Sequence, residues 1–233
     1  MTTKEDGIRF IDMCRDSLDE AATLLEASPD LLEIPAYVGE TPLHYLAIEG
    51  ELELVRWLVA RGASVNSADN VGNSPLIGCA GLGHLELVEF LIEAGADVRH
   101  YNSFGESAIS SASQYNYVEI MQVLMDHGAS ILEPNADGQL PIHYAAENGA
   151  LEAVKFLLDH GSPIDSVDDF GETPLHKSAL EGKLSVVQLL IERGANPFVV
   201  DELNRTALEY ARLNHHTDVI SYLSNLGHLD EPM

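Results

Sequence analysis

The chain alternates short apolar stripes with polar turns, and residues 39–71 show the pattern clearly. A hydroxyl side chain followed by proline, Thr41-Pro42, is typical of a helix start. Apolar residues then recur at helical spacing in two stripes, and each stripe is followed by a glycine suited to a helix end. The pattern predicts two helices, Thr41 to Glu49 and Leu52 to Arg61, and then a polar turn. Two helices of about ten residues cannot bury their apolar faces alone, so neighbouring units must complete the core.

This unit recurs at a fixed interval. The segment Gly-Glu-Thr-Pro-Leu-His begins at Gly39 and again at Gly171, 132 residues later, which is four times 33. Related segments begin at Gly72, Gly105 and Gly138, and a worn copy begins at Asn204. A second glycine keeps the same interval at Gly62, Gly95, Gly128, Gly161, Gly194 and Gly227. A constant period of this length indicates stacked structural repeats.

Aligned positions of the units hold apolar residues of similar kind. Leucine occupies one position throughout, as Leu58, Leu91, Leu124, Leu157, Leu190 and Leu223. A second position holds Val55, Val88, Met121, Val154, Val187 and Ile220. We interpret these positions as the seams at which neighbouring units pack.

The period of 33, the Thr-Pro-Leu-His turn and the Gly-Ala-Ser-Val-Asn ending from Gly62 resemble ankyrin repeats. The resemblance covers six units from Gly39 onward. It implies an all-α ankyrin-repeat solenoid with helix-turn-helix-hairpin repeats of 33 residues. The domain plan is one domain over residues 1–233: an N-terminal capping repeat at 1–38, repeats at 39–71, 72–104, 105–137, 138–170 and 171–203, and a C-terminal capping repeat at 204–233.

Both ends of the chain are expected to cap the stack, because a terminal repeat has a neighbour on one side only. Ile8 to Leu32 predicts two helices out of register with the strict period. Their polar outer face is supplied by Glu5, Asp6, Asp12, Arg15, Asp16, Asp19, Glu20 and Glu26. In the last repeat, core-type residues are replaced by Arg212, Asn214, His215, His216 and Asp218, and Leu229 to Met233 is expected to fray.

The net charge of the chain limits the classes of molecule that it could bind. Twelve Lys and Arg stand against 38 Asp and Glu, a formal net charge of -26. Nucleic acid and anionic membrane surfaces are disfavoured, because binding either requires a basic patch. The acidity serves either solubility or attraction to a basic partner, and the sequence leaves both open.

Apolar runs, the N-terminal residues and the cysteine count indicate the cellular compartment of the protein. No apolar run approaches the ~20 residues of a membrane span, and no signal-type segment follows the polar residues Met1 to Asp6. Cys14 and Cys79 are too few for a disulfide framework, so we expect a reducing, cytoplasmic setting. Cys79 shares its repeat position with alanines and a serine, which predicts a small buried core residue.

Catalysis and metal binding find little support. His44, His143 and His176 share one repeat position, and the family resemblance implies that they tie adjacent turns together by hydrogen bonds. Equivalent atoms of adjacent repeats lie roughly 8–10 Å apart, whereas zinc ligands lie within about 4 Å of one another. No Gly-rich phosphate loop or Gly-x-Ser-x-Gly elbow is present. We expect no enzyme activity, no metal site and no cofactor.

Residues 105–137 depart most from the pattern. Ala108 replaces the helix-starting proline, Ser110 the histidine and Asn116 the loop glycine. Asparagine tolerates a left-handed backbone, so the loop is expected to survive. These changes have two alternative explanations. One is sequence drift in a repeat that is supported on both sides, and the other is selection for a binding surface.

The family resemblance implies that a partner protein binds the concave groove formed by hairpin tips and first-helix ends. Tyr101, Phe104 and Tyr115 are expected to form one patch there; the alternative is that Phe104 only covers the neighbouring tip beside Val71. The partner-binding residues that we predict are Val71, Leu82, Tyr101, Phe104, Glu106, Gln114, Tyr115, Asp137, Gln139, Asn148, Asp169 and Phe170.

Two functions then compete. One is a protein–protein interaction scaffold, an adaptor or inhibitor that is a monomer on its own. The other is a constitutive regulatory subunit of a larger complex, which would aggregate or give poor yields without its partner. An enzyme or metal-binding protein is the less favoured third class.

Overall fold

A computed structural model describes residues 3–226, which form fourteen α-helices and one 3-10 helix, with no strand among these residues. The all-α prediction is confirmed. Two of the sequence assignments, Gly227 and the segment Leu229 to Met233, lie outside the described residues.

Six helical pairs follow the 33-residue step. The first helices are α3 (Pro42–Ile48), α5 (Pro75–Gly81), α7 (Ala108–Gln114), α9 (Pro141–Asn148), α11 (Pro174–Leu180) and α13 (Ala207–Leu213). The second helices are α4 (Leu52–Val59), α6 (Leu85–Glu93), α8 (Val118–Asp126), α10 (Leu151–Asp159), α12 (Leu184–Glu192) and α14 (Thr217–Leu226). Each series begins every 33 residues without a slip, so the predicted register is confirmed.

A seventh pair precedes them. Helices α1 (Lys4–Asp16) and α2 (Leu18–Ala27) are joined through Ser17 alone, and a 3-10 turn follows at Pro29–Leu32. Phe10 and Ile11 are buried, whereas most of the predicted polar face is exposed. The expectation of two helices before the first regular repeat is confirmed, and their role as a cap stays a prediction.

Side-chain caps explain where the first helices begin. The hydroxyl of Thr41 accepts from the amide of His44, and Thr173 and Thr206 cap α11 and α13 in the same way. Because proline lacks an amide hydrogen, it fits the first turn of α3, α5, α9 and α11.

The divergent repeat keeps its helices by substitute contacts. The Ser107 hydroxyl accepts from the Ser110 amide at 3.4 Å, and the Ser110 hydroxyl donates to the Ser107 carbonyl at 2.9 Å. This serine pair stands where other repeats carry a threonine and a histidine. Asn116 adopts a φ of 67°, so the prediction that it replaces the loop glycine is confirmed.

The chain divides into two compact units. The first holds the described residues up to Ser111 together with Gln122–Ala129, and the second holds Ala112–Met121 together with the described residues from Ser130 onward. In the first, α3 packs between α1 and α5; in the second, α11 packs between α9 and α13.

The predicted leucine seam lies in the core of each unit. Leu58, Leu91 and Leu124 are fully buried in the first unit, and Leu157 and Leu190 in the second. Cys79 is buried as predicted. None of the described helices combines the length and apolarity that a membrane span requires.

Candidate protein-interaction site

An Asp or Asn side chain closes the hairpin tip that precedes each of five first helices. Oδ1 of Asp69 accepts the amide of Val71 at 2.9 Å and that of Asn73 at 2.8 Å. The same pair of bonds is made by Asn102, Asn135, Asp168 and Asp201, one repeat apart. The tip amides are therefore satisfied internally, and the tips are stiffened from within.

Adjacent tips are also joined to each other within each unit. In the first unit, the amide of Ser103 donates to the carbonyl of Val71 at 2.8 Å. In the second, Asp169 donates to Asp137 at 2.9 Å and Glu202 donates to Phe170 at 3.1 Å. The backbone of the tips thus forms a ladder, which leaves their side chains as the groups that a partner can contact.

In the first unit, the predicted residues lie mainly on the exposed surface. Phe104 is 55% exposed, and Val71, Leu82 and Tyr101 are also exposed. Glu106 is half-buried and accepts from Asn102 Nδ2 at 2.8 Å. We call these five residues the first tip surface.

The second unit carries the other seven predicted residues. Tyr115 is 55% and Phe170 54% exposed, and Tyr115 lies 6.5 Å from Tyr117 between ring centroids. Asp137, Asn148 and Asp169 are exposed. Gln114 and Gln139 are half-buried. We call the second tip surface the set Gln114, Tyr115, Asp137, Gln139, Asn148, Asp169 and Phe170.

The two units divide the predicted aromatic patch. Tyr101 and Phe104 flank one hairpin of the first unit, where Tyr101 forms a single β-bridge with Ser107. Tyr115 belongs to the second unit. Its grouping with the other two rings therefore stays a prediction.

A buried ion cluster behind the second tip surface was missed from the sequence. The Lys177 ammonium nitrogen lies 2.8 Å from Asp168 Oδ2 and 2.5 Å from Glu172 Oε2. Burial alone would lower the pKa of Lys177, but its bonds to the two carboxylates outweigh this and raise that pKa. Burial would raise the pKa of Asp168, yet the Lys177 contact and amide hydrogen bonds lower it.

The cluster continues into the last described repeat. The hydroxyl of Tyr210 hydrogen-bonds Glu172 and lies 2.8 Å from Asp201 Oδ2. Arg205 holds Asp201 through Nε at 2.9 Å and Nη2 at 2.7 Å. Although burial favours a higher pKa for Asp201, hydrogen bonds from Arg205 and Tyr210 lower that pKa to about 2. The only sequence signal was a lysine where three other repeats carry tyrosine.

The histidine position is structural. His44 Nε2 lies 3.0 Å from the carbonyl oxygen of Asn73, and His176 Nε2 lies 3.1 Å from that of Arg205, so both reach the next repeat. His143 instead contacts Ser166 in its own repeat at 3.0 Å. Burial lowers the pKa of all three, which favours the neutral ring.

Chemically reactive groups are shielded. Burial raises the pKa of the Cys14 and Cys79 thiols to about 12, so neither is a ready nucleophile. Within residues 3–226, no group of three or more His, Cys, Asp or Glu side chains is arranged to hold a metal ion.

Comparison with known families accounts for nearly the whole described chain. A family model for ankyrin repeats (3 copies) matches residues 13–102, 79–168 and 160–230. A search of curated proteins finds no match.

Proposed function

Because the chain belongs to the ankyrin repeat family, we propose that it is a non-catalytic scaffold, an adaptor or inhibitor, that binds a partner protein through its two tip surfaces. Ankyrin repeats generally mediate protein–protein interaction, and the family is typically non-catalytic. What is specific to this chain is the choice of residues and the chemistry of the partner.

One observation carries the proposal: exposed apolar side chains stand at one repeated tip position on an internally bonded backbone. They are Val38, Val71 and Phe104 in the first unit and Phe170 and Leu203 in the second. Clustered exposed apolar groups mark interaction surfaces, and aromatic side chains are the usual anchors of protein interfaces. A backbone fixed in advance loses little conformational freedom on binding.

The competing explanation, that the tips merely cover one another, fits less well. Phe104 follows Val71 by one repeat and the two tips share a hydrogen bond, yet Phe104 keeps 55% of its surface exposed. A ring whose purpose was to cover its neighbour would lose most of that surface.

We further propose that the partner presents a basic surface. The tip surfaces carry Glu106, Asp137 and Asp169 in a chain with a formal net charge of -26. Complementary charge speeds association and rejects other acidic proteins. A reducing cytoplasmic compartment agrees with two free, buried cysteines.

The test substitutes one exposed ring in each unit, Phe104→Ser and Tyr115→Ser. Phe198→Ser is the matched control, because Phe198 is 61% exposed but lies outside the tip position. Each tagged variant is compared with the native chain for recovery of its bound proteins and for melting temperature. We expect partner recovery to fall for both tip variants, to persist for the control, and melting to stay unchanged. Melting lowered by many degrees with recovery intact would make the rings structural and refute the proposal.

A further inference from the structure

Three exposed apolar side chains occupy the same position of three neighbouring tips in the first unit. They are Val38, Val71 and Phe104, and Val38 is the most exposed at 65%. The amide of Asn70 donates to the carbonyl of Val38 at 3.2 Å. The amide of Ser103 donates to the carbonyl of Val71 at 2.8 Å. Because the same bond joins each pair of tips, the three side chains line up with one in each repeat. We call Val38, Val71 and Phe104 the apolar row.

The backbone of these tips offers no free amide to a partner. In the second and third tips, residues 70–73 and 103–106, every amide hydrogen is already bonded within the unit. A partner strand that extends a sheet edge needs such groups to be free, so strand addition is disfavoured here. A partner therefore has to recognise the row through its side chains.

The spacing of the row selects the conformation of a partner segment. Neighbouring repeats stack roughly 8–10 Å apart. A polyproline II segment returns to the same face every three residues, about 9.3 Å, and it needs no internal hydrogen bonds. A β-strand returns every two residues, about 6.7 Å, and an α-helix every seven residues, about 10.5 Å. Polyproline II is the conformation whose spacing falls within the range of the row.

Aromatic side chains next to the row suit a segment of that kind. Tyr37 precedes Val38 and is exposed, and its ring stacks on the ring of Tyr45 at 4.8 Å between centroids. Tyr101, three residues before Phe104, is also exposed. Polyproline II segments dock on aromatic-lined surfaces, and their preformed conformation loses little freedom on binding.

The charge next to the row favours cations in the segment. Glu40 follows Val38 by two residues and is half-buried. Burial and the nearby Asp69 carboxylate raise the pKa of Glu40, and no cation within residues 3–226 offsets these two effects. A Lys or Arg side chain of a partner would supply that missing charge. A second copy of this chain would instead bring further carboxylates to the same place.

Basic side chains of the first unit do not fill this role. Arg15 lies over the ring of Tyr45, and its guanidinium is 3.6 Å from the Glu49 carboxylate. His100 places Nε2 2.7 Å from the carbonyl oxygen of Gly72. Both side chains are therefore engaged inside the unit.

We propose that the partner, within the function proposed above on which this step rests, binds the apolar row through an extended polyproline II segment. The segment carries apolar side chains three residues apart, one for each of Val38, Val71 and Phe104. Lys or Arg residues between them face the carboxylate of Glu40. A single segment of nine residues is long enough to cover all three tips.

Fluorescence anisotropy with labelled peptides and the full chain tests the proposal. The probe is a nine-residue peptide, Leu-Pro-Lys repeated three times, which presents one leucine to each position of the row. We expect saturable binding with a dissociation constant below about 1 mM. The rearranged peptide Leu-Pro-Leu-Lys-Leu-Pro-Lys-Pro-Lys has the same composition, but its leucines no longer match the row. It should bind about fivefold more weakly or worse.

Three further peptides test conformation and charge. Glycine in place of each proline removes the preset conformation and should weaken binding about threefold or more. Glutamate in place of each lysine should weaken binding about tenfold or more, because Glu40 repels it. A helical peptide with leucine at every seventh position should bind more weakly than the probe.

Variants of the chain locate the binding site. Val38→Ser and Phe104→Ser should each weaken binding of the probe about fivefold or more. Val167→Ser and Phe198→Ser are the matched controls, because they remove a valine and a phenylalanine that are 54% and 61% exposed and lie outside the row. The controls should bind the probe like the native chain, and all four variants should melt like it.

Several results would overturn the proposal. They are the absence of binding up to about 1 mM probe, equal affinity for the probe and its rearranged form, or tighter binding of the helical peptide. Row variants that bind like the native chain, or controls that lose as much affinity as the row variants, would do the same. Recovery of the native partner is a separate measurement. If that recovery depends on Phe104 while the peptides fail, the scaffold function stands and the polyproline II segment is wrong.

Discussion

The Lys177 ammonium nitrogen lies 2.8 Å from Asp168 Oδ2, and both side chains are almost completely buried. Lys177 stands at the repeat position held by Tyr45, Tyr144 and Tyr210 in other repeats. The repeat that contains Lys177 thus places an ammonium group where the repeats on either side of it place a phenol ring. Such a group is tolerated only because two carboxylates surround it.

Removing that ammonium group should be costly. We expect Lys177→Met to lower the free energy of unfolding by about 3–5 kcal/mol, because Asp168 and Glu172 lose their shared cation while buried. Lys155→Met is the matched control, since Lys155 pairs with Glu152 at 2.7 Å at the exposed surface. It should cost about 0–1 kcal/mol. Equal losses in urea titrations would show that the cluster contributes no more than a surface pair.

A double-substitution cycle isolates the pair. Asp168→Asn keeps the oxygen that closes the tip, as Asn102 and Asn135 do at the same position, and removes the charge. Alone it should destabilise the chain. In the Lys177→Met background it should restore part of the lost stability, because an unpaired carboxylate disappears. Purely additive losses would contradict a direct interaction.

Stability should decrease as the pH is lowered, and it should do so in two pH windows. Burial lowers the folded-state pKa of His44, His143 and His176. The unfolded state therefore binds more protons below about pH 6.5, and the stability present above that value is lost as pH falls. Asp168 and Asp201 also have lowered pKa values in the fold, so their contribution is lost in the acid window below about pH 4.

Urea midpoints measured across this range check both signs. His176→Gln should flatten the slope of the first window, because it removes one of the three buried rings. Stability that increases between about pH 7 and about pH 5 would mean that the buried rings are charged in the fold.

The leucine seam should dominate the stability of each unit. Leu124 lies in the first unit and Leu157 in the second, and both are fully buried. Truncating either to Ala should cost about 2–5 kcal/mol. The exposed control Glu86→Ala should change stability by no more than about 0.5 kcal/mol. A control that matched the leucine variants in denaturant titrations would mean that the seam is wrongly assigned.

The positions of the helices could be predicted from the sequence because the signals that start and end a helix are local. Thr41-Pro42 starts α3, and the starts of the later helices follow by counting. The predicted end of α4 at Arg61 was two residues too long, since the helix ends at Val59 and the backbone tightens before Gly62. Helix ends are the least sharply encoded boundaries.

The ion cluster could not be predicted in the same way. Asp168, Glu172 and Asp201 look like surface residues in an acidic chain, and only the stacking of repeats brings them to Lys177 and Tyr210. Their chemistry arises from burial and from contacts up to 38 residues apart, which periodicity does not report. Exposed positions of the tip surfaces could be predicted from the sequence. Whether the rings of Tyr101, Phe104 and Tyr115 form one site depends on the tertiary arrangement.

The charge of the tip surfaces makes a last prediction about the partner. If the protein recovered with this chain is basic, raising NaCl from about 50 to about 500 mM should slow their association markedly, because salt screens exposed charges. The double variant Asp137→Asn and Asp169→Asn should slow association at low salt and reduce the salt dependence. Glu53→Gln with Glu86→Gln makes the same charge change on second helices and should do neither. Surface plasmon resonance at several salt concentrations measures both quantities. If the association rate does not respond to salt, the acidity serves solubility alone; if both double variants respond equally, the attraction comes from the net charge and not from the tips.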